Sequence, residues 1–219
     1  MKKYLLPLAI LCGHFCFAQK IKVVETSEGM STGNNPALTV VIPETNGDAI
    51  DKKWHKLMKD YDAKVSSKSG ETFADNALIK ELGANTEDIY MKIKESDGSV
   101  AMWVWVDLGG GFVSSSKYPE QYKAMEKIVN DFAVEAAKDA AQKRIDDATD
   151  ALNKLNKAHE DLVKEVKDLG DDIEDYKKKI TDAQQKIADD NKAIAEKLTQ
   201  ISDQQKVLDA LKAKKDKIE

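Results

Sequence analysis

Few residues in this chain have types and spacing that suit chemistry. The clearest ligand-contact candidates are Trp103 and Trp105, two apart in the alternating run from Ser99 to Asp107. Side chains two apart on a strand share a face, and paired indoles can stack on a sugar ring or on peptidoglycan. The same pair can instead fill a core face under a helix, and Met125 and Phe132 on a later helix are placed to cover it. That core reading is the favoured one. Gly109-Gly110-Gly111 follows the run like a phosphate loop, but the Gly-Lys-Ser/Thr ending is missing, so a bend or bulge is expected. His55 falls on the polar side of a first helix, and His159 falls in a helical seam where a polar residue can set register. Two separated histidines with no cysteine after Cys16 do not make a zinc set. Acid–base work in the first half would have to come from Glu71, Asp75, Glu81, Glu87, Asp88 or Asp107. Asp75 and Asp107 border apolar strands, yet no spacing selects a pair, so they read as turn or edge acceptors. The expectation is a non-enzymatic chain with no catalytic residue, no metal ligand and no cofactor, whose candidate ligand or partner contacts are Trp103, Trp105 and His159.

The first residues read as an address. Lys2 and Lys3 precede an apolar stretch, Leu5 to Phe17, that ends at Ala18-Gln19. That order marks a secretory signal peptide over 1–18, and the stretch is shorter than the ~18 residues a membrane span needs. Cys12 and Cys16 follow Leu11 and Phe15, which are large where a lipidation signal wants a small residue. Export to the periplasm or cell envelope is therefore expected. Cleavage would remove both cysteines, and with them any disulfide. It would also take Lys2 and Lys3 from a chain whose net charge is already −5. With Arg144 as its sole arginine, such a chain suits nucleic acid poorly. No later apolar run is long enough to span a membrane.

These candidates sit on two unlike halves. Residues 19–118 hold all three Trp, nine of the eleven Gly and two of the four Pro, whereas after Pro119 there is one Gly, Gly170, and no further Pro. The first half predicts a small α+β domain. Ile21 to Glu25, Leu38 to Ile42, Ala63 to Ser67, Thr72 to Ile79, Asp88 to Glu95 and Ser99 to Asp107 read as strands of a mostly antiparallel sheet. The stretch Gly29 to Pro36 reads as a turn, and Asp97-Gly98 as the turn of a hairpin. Asp48 to Tyr61 carries Ile50, Trp54, Leu57, Met58 and Tyr61 at helical spacing, with Asn46 placed to cap the first turn.

The second half predicts a coiled coil over 119–219. Apolar residues recur in steps of three and four from Ile145 through Ala148, Leu152, Leu155, Leu162, Val166, Leu169, Ile173, Tyr176, Ile180 and Ala183 to Ile187, with His159 filling the one early seam position that is not apolar. The seam loosens where Asp190, Lys197 and Gln204 occupy its positions. Gly170 raises the choice between one rod and a hairpin. Gly at a helix end, and Asp171 with Glu174 at capping-box spacing, favour two arms, 119–169 and 171–219. Ala133, Ala136, Ala137, Ala140 and Ala141 would admit the returning arm. Against this, the heptad phase passes Gly170 without a slip, and one exposed Gly costs a helix only ~1 kcal/mol. The hairpin is the expectation, with a single long helix as the alternative. Either form predicts a protein partner or self-association through the helices.

Ala18-Gln19, Pro43-Glu44 ahead of Trp54, Val106-Asp107-Leu108-Gly109-Gly110 and Asp175-Tyr176-Lys177-Lys178-Lys179-Ile180 resemble a group of small exported proteins from Bacteroidota. The resemblance covers nearly the whole chain and implies envelope localisation and a two-part architecture, with no activity to carry over. A looser likeness is to periplasmic holdase chaperones of the Skp type, which carry helical tentacles on a β body. This chain departs from them in being acidic and in having its helices at the C-terminus. The expected role is a cell-envelope interaction or scaffold protein acting by coiled-coil pairing. The alternatives are a holdase-like chaperone, or a glycan- or small-ligand-binding module using Trp103 and Trp105.

Overall fold

The structure, a computed structural model, describes residues 20–216. The signal-peptide reading of 1–18 lies outside them. The fold is α+β. A six-stranded sheet is built from β1 (Val24–Met30), β2 (Gly33–Pro43), β3 (Lys64–Lys68), β4 (Glu71–Ala77), β5 (Glu87–Ser96) and β6 (Ser99–Asp107). The helices are α1 (Gly47–Asp60), between β2 and β3, and α2 (Pro119–Lys215). Spatial order is β1-β2-β6-β5-β4-β3, and every pairing is antiparallel. Two tight turns explain the β3–β4 and β5–β6 hairpins. Ser69-Gly70 (φ 54°, 81°) and Asp97-Gly98 (φ 35°, 76°) both take the left-handed torsions that match the twist of paired strands.

The stretch read as a turn, Gly29 to Pro36, is mostly strand. The β1–β2 reversal uses only Ser31 and Thr32, and Pro36 pairs with Ser27. Proline is tolerated there because β2 begins pairing with β6 only at Leu38, so no second ladder asks for the missing N–H.

Alternation sorts the sheet into two faces. Val100, Met102, Val104 and Val106 of β6 lie on one face with Ile89 and Met91 of β5 and Leu38, Val40 and Ile42 of β2, and all are buried. Ile50, Trp54 and Met58 of α1 pack on that face, with Met125, Val129, Phe132, Ala133 and Ala136 of α2. The rings of Trp54 and Phe132 meet edge to face at 5.1 Å. Asn46 caps α1 by accepting from the Ala49 N–H at 2.9 Å. Gly47 donates to the Glu95 carboxylate, and a Cβ there would press on the ends of the Glu95 and Ile93 side chains, which would have to shift.

Two compact units divide the chain at Ala148 and Thr149, although the composition changes earlier, where α2 begins. The hairpin expectation does not hold. α2 is one helix of 97 residues that passes through Gly170. Asp171, expected to cap a second arm, pairs with Lys167 one turn back at 3.0 Å, across the glycine, and Glu174 pairs with Lys177 at 2.7 Å. Local cap residues were outweighed because the seam keeps its phase on both sides and an exposed Gly costs little. Ala133 and Ala136, expected to admit a returning arm, instead let α2 lie close to the core of the first unit.

Candidate functional site

Trp103 and Trp105 share a face, as alternation requires, but it is the face opposite the helices. The expected cover by Met125 and Phe132 is therefore corrected, because alternation pairs residues on a face without saying which face a helix takes. Trp105 is nonetheless fully buried, and its indole N–H donates to the Asn35 carbonyl at 3.3 Å. The chain around the β1–β2 turn reaches across this face, where the Ser31 N–H donates to the Glu71 carboxylate on β4 at 2.8 Å. Trp103 is half-buried, opposite Thr39 on β2 and Lys92 on β5.

Next to Trp105 the cross-strand row continues through Tyr90 to Phe73, whose rings lie 4.7 Å apart, and Phe112 closes on Tyr90 at 6.4 Å. Between this row and the β1–β2 turn lies a groove of about 650 Å³ lined by Met30, Ser31, Lys68, Phe73, Tyr90 and Lys92 among others. That size suits a small ligand. Burial pushes the Tyr90 phenol up from its ordinary value, and the nearby carboxylates Asp88, Asp107, Glu71 and Asp75 add to the shift. The phenol therefore stays a neutral donor. The groove's aromatic floor is Phe73 and Tyr90, which strand periodicity alone did not single out.

The carboxylates read as turn or edge acceptors behave so. Asp107 accepts from the Gly109 N–H at 2.9 Å, and Asp75 from the Asn76 amide at 2.7 Å. The triple glycine is a bend: Gly109 and Gly111 have φ of 75° and 137°, and the Lys117 ammonium donates to the Gly110 carbonyl at 3.0 Å. Glu87 is buried, and burial raises its carboxyl above the usual range against an opposing bond from the Ile79 backbone.

One constellation was invisible in the sequence. His55 Nδ1 donates to the Asp51 backbone carbonyl one turn back on α1 at 2.9 Å and lies 3.3 Å from one of that residue's carboxylate oxygens, and His55 Nε2 lies 3.3 Å from the Ser67 hydroxyl on β3. Thr72 donates to the other Asp51 oxygen at 2.8 Å and shares a bond with Ser67 at 3.1 Å. Carboxylate, imidazole and hydroxyl follow the order of a nucleophile-activating triad, but the imidazole is held by the Asp51 backbone carbonyl rather than by its carboxylate. Here the order closes a ring through buried Thr72, which ties the β3–β4 hairpin to α1, and Ser67 lies exposed on the edge strand. Among the described residues no group of three or more His, Cys, Asp or Glu could hold a metal ion.

The second unit carries a different surface. Every large hydrophobic residue that is exposed in the described chain, apart from Val24 and Val41, lies on α2 from Ile145 onward. Leu155 is 69% exposed and Ile180 58%. His159 lies on this stripe, exposed, at a seam position. Among the described residues no helix is long and apolar enough to cross a membrane. No known family, characterised protein or solved structure matches the chain.

Proposed function

We propose that this is a non-enzymatic interaction or scaffold protein of the cell envelope that works by coiled-coil pairing of α2. The observation that carries the reading is the exposed stripe on α2. Burying a Leu, Ile or Val side chain is worth roughly 1.5–3 kcal/mol, and the stripe leaves such residues in water turn after turn. Their regular three-and-four spacing suits another helix, which can insert knobs into matching holes, better than the irregular client of a holdase. The envelope address rests on the signal pattern of 1–18. Sedimentation of the chain, with crosslinking in intact cells, tests the reading. A defined complex involving α2 is expected; a strict monomer that crosslinks to nothing overturns it.

A second reading has its own observation. The 650 Å³ groove with its Phe73–Tyr90 floor fits a glycan or other small ligand. Its contacts would be Phe73 and Tyr90 rather than buried Trp105. Titration with cell-wall fragments tests it: binding lost in Tyr90→Ala supports it, and no binding by the intact chain removes it.

A further inference from the structure

We propose that the partner of α2 is a second copy of this chain, docked antiparallel about a two-fold axis between Glu174 and Asp175, with His159 facing the partner's Asp190. This rests on the pairing reading above and makes it specific.

The polar residues of the seam choose the arrangement. In a parallel, in-register pair each seam position meets itself. Asp190 would face Asp190, Lys197 would face Lys197, and His159 would face His159. The Asp190 and Lys197 contacts bring like charges together out of water, which is costly, and the His159 contact sets polar imidazoles against each other with no partner of different chemistry. Reversing one helix about the proposed axis removes all three clashes. His159 then meets a carboxylate, which it can hydrogen-bond. The branched positions Ile173, Ile180, Ile187 and Ile194 fall opposite Tyr176, Leu169, Leu162 and Leu155 of the partner. Apolar layers of this kind bury on the order of 1,500 Å², the size of a stable interface.

The flanks agree independently. In an antiparallel pair the residues just before each branched seam position meet their own kind across the interface. In this register Glu165 lies beside the partner's Lys186, and Asp172 beside the partner's Lys179, each pair occurring twice by symmetry. Sliding by one heptad either way brings Asp172 against Asp172 or Lys179 against Lys179. Among the described residues Glu165, Asp172 and Lys186 have no ion-pair partner within their own chain. Flanking charges of this kind set partner choice and orientation more than affinity.

Cysteine pairs test the geometry, in the full chain with Cys12→Ser and Cys16→Ser. The double variant Leu155→Cys with Ile194→Cys should oxidise to a species of dimer mass, and Leu155→Cys alone should not. Crosslinking by the single variant means a parallel, in-register pair and overturns the proposal. So does a disulfide at monomer mass, which means one chain folding back. A sedimenting dimer without the expected crosslink sinks this arrangement and leaves the pairing reading standing. A strict monomer sinks self-pairing altogether. As a second readout, Glu165→Lys should weaken the dimer roughly tenfold, and adding Lys186→Glu should restore it. A parallel pair would place residue 165 beside Gly170, so failure of that rescue also counts against the proposal.

Discussion

The sheet unit and the distal part of α2 use the same apolar side chains in opposite ways. In the first, Trp54, Ile89, Met102 and Met125 are entirely buried. In the second, the leucines and isoleucines from Leu152 to Ile201 stand more than half exposed. A sheet with two faces finds its cover within one chain, because α1 and the first turns of α2 close one face and the β1–β2 turn reaches across the other. A single long helix has no second layer of its own to bury its stripe against. Stability in the first region is therefore a property of the chain; under the proposed pairing, stability in the second is a property of an assembly.

Substitutions can break or sharpen that contrast. The largest effect is expected from Trp54→Ala, which opens a cavity beside Phe132. It should cost the sheet unit about 3–5 kcal/mol in denaturant unfolding. Ile180→Asp should leave that transition where it is and weaken association about a hundredfold, because an unpaired charge enters a buried layer. If it shifts the unfolding of the sheet unit instead, the two regions are not separable in this way. Glu87→Gln should stabilise the sheet unit by about 1 kcal/mol at neutral pH. The sign follows from the raised carboxyl. The folded chain holds that proton more tightly than the unfolded chain, so stability declines as pH rises from the ordinary value near ~4.3 toward the raised one. The gain from Gln should vanish in acid. Gly170→Ala should raise helix stability by about 1 kcal/mol, as in any exposed helix interior. A hairpin with a left-handed cap there would lose stability instead. The smallest change is expected from Ser67→Ala, a few tenths of a kcal/mol, because Thr72 keeps its bond to Asp51. Intact protein should also resist a serine-directed phosphonate, and labelling at Ser67 would convert the ring into a catalytic site.

Much of the architecture could be read from periodicity. β5 and β6 alternate cleanly, while β4 carries an irregularity between Ala74 and Ala77, and β6 is apolar on both faces because the helices cover one face and the β1–β2 turn reaches across the other. The β1–β2 reversal was harder. Gly29, Gly33, Asn34, Asn35 and Pro36 all look like turn residues, and only the pairing of β1 with β2 makes them strand. Gly170 misled for a related reason: caps are local signals, while continuation depends on phase held over many turns. The pairing of Trp103 with Trp105 was legible, but not the face that would be covered. The Asp51–His55–Ser67–Thr72 ring joins a helix to a hairpin, so no linear spacing encodes it. His159 was legible as a seam position because it falls on the three-and-four count.

Amide hydrogen exchange along 149–215, followed over a range of protein concentrations, tests the central claim most directly. Protection of the stripe residues should rise with concentration while the amides of the sheet stay unchanged. Rapid exchange in α2 at every concentration, with or without envelope extract, would contradict the claim that this helix is built to be paired.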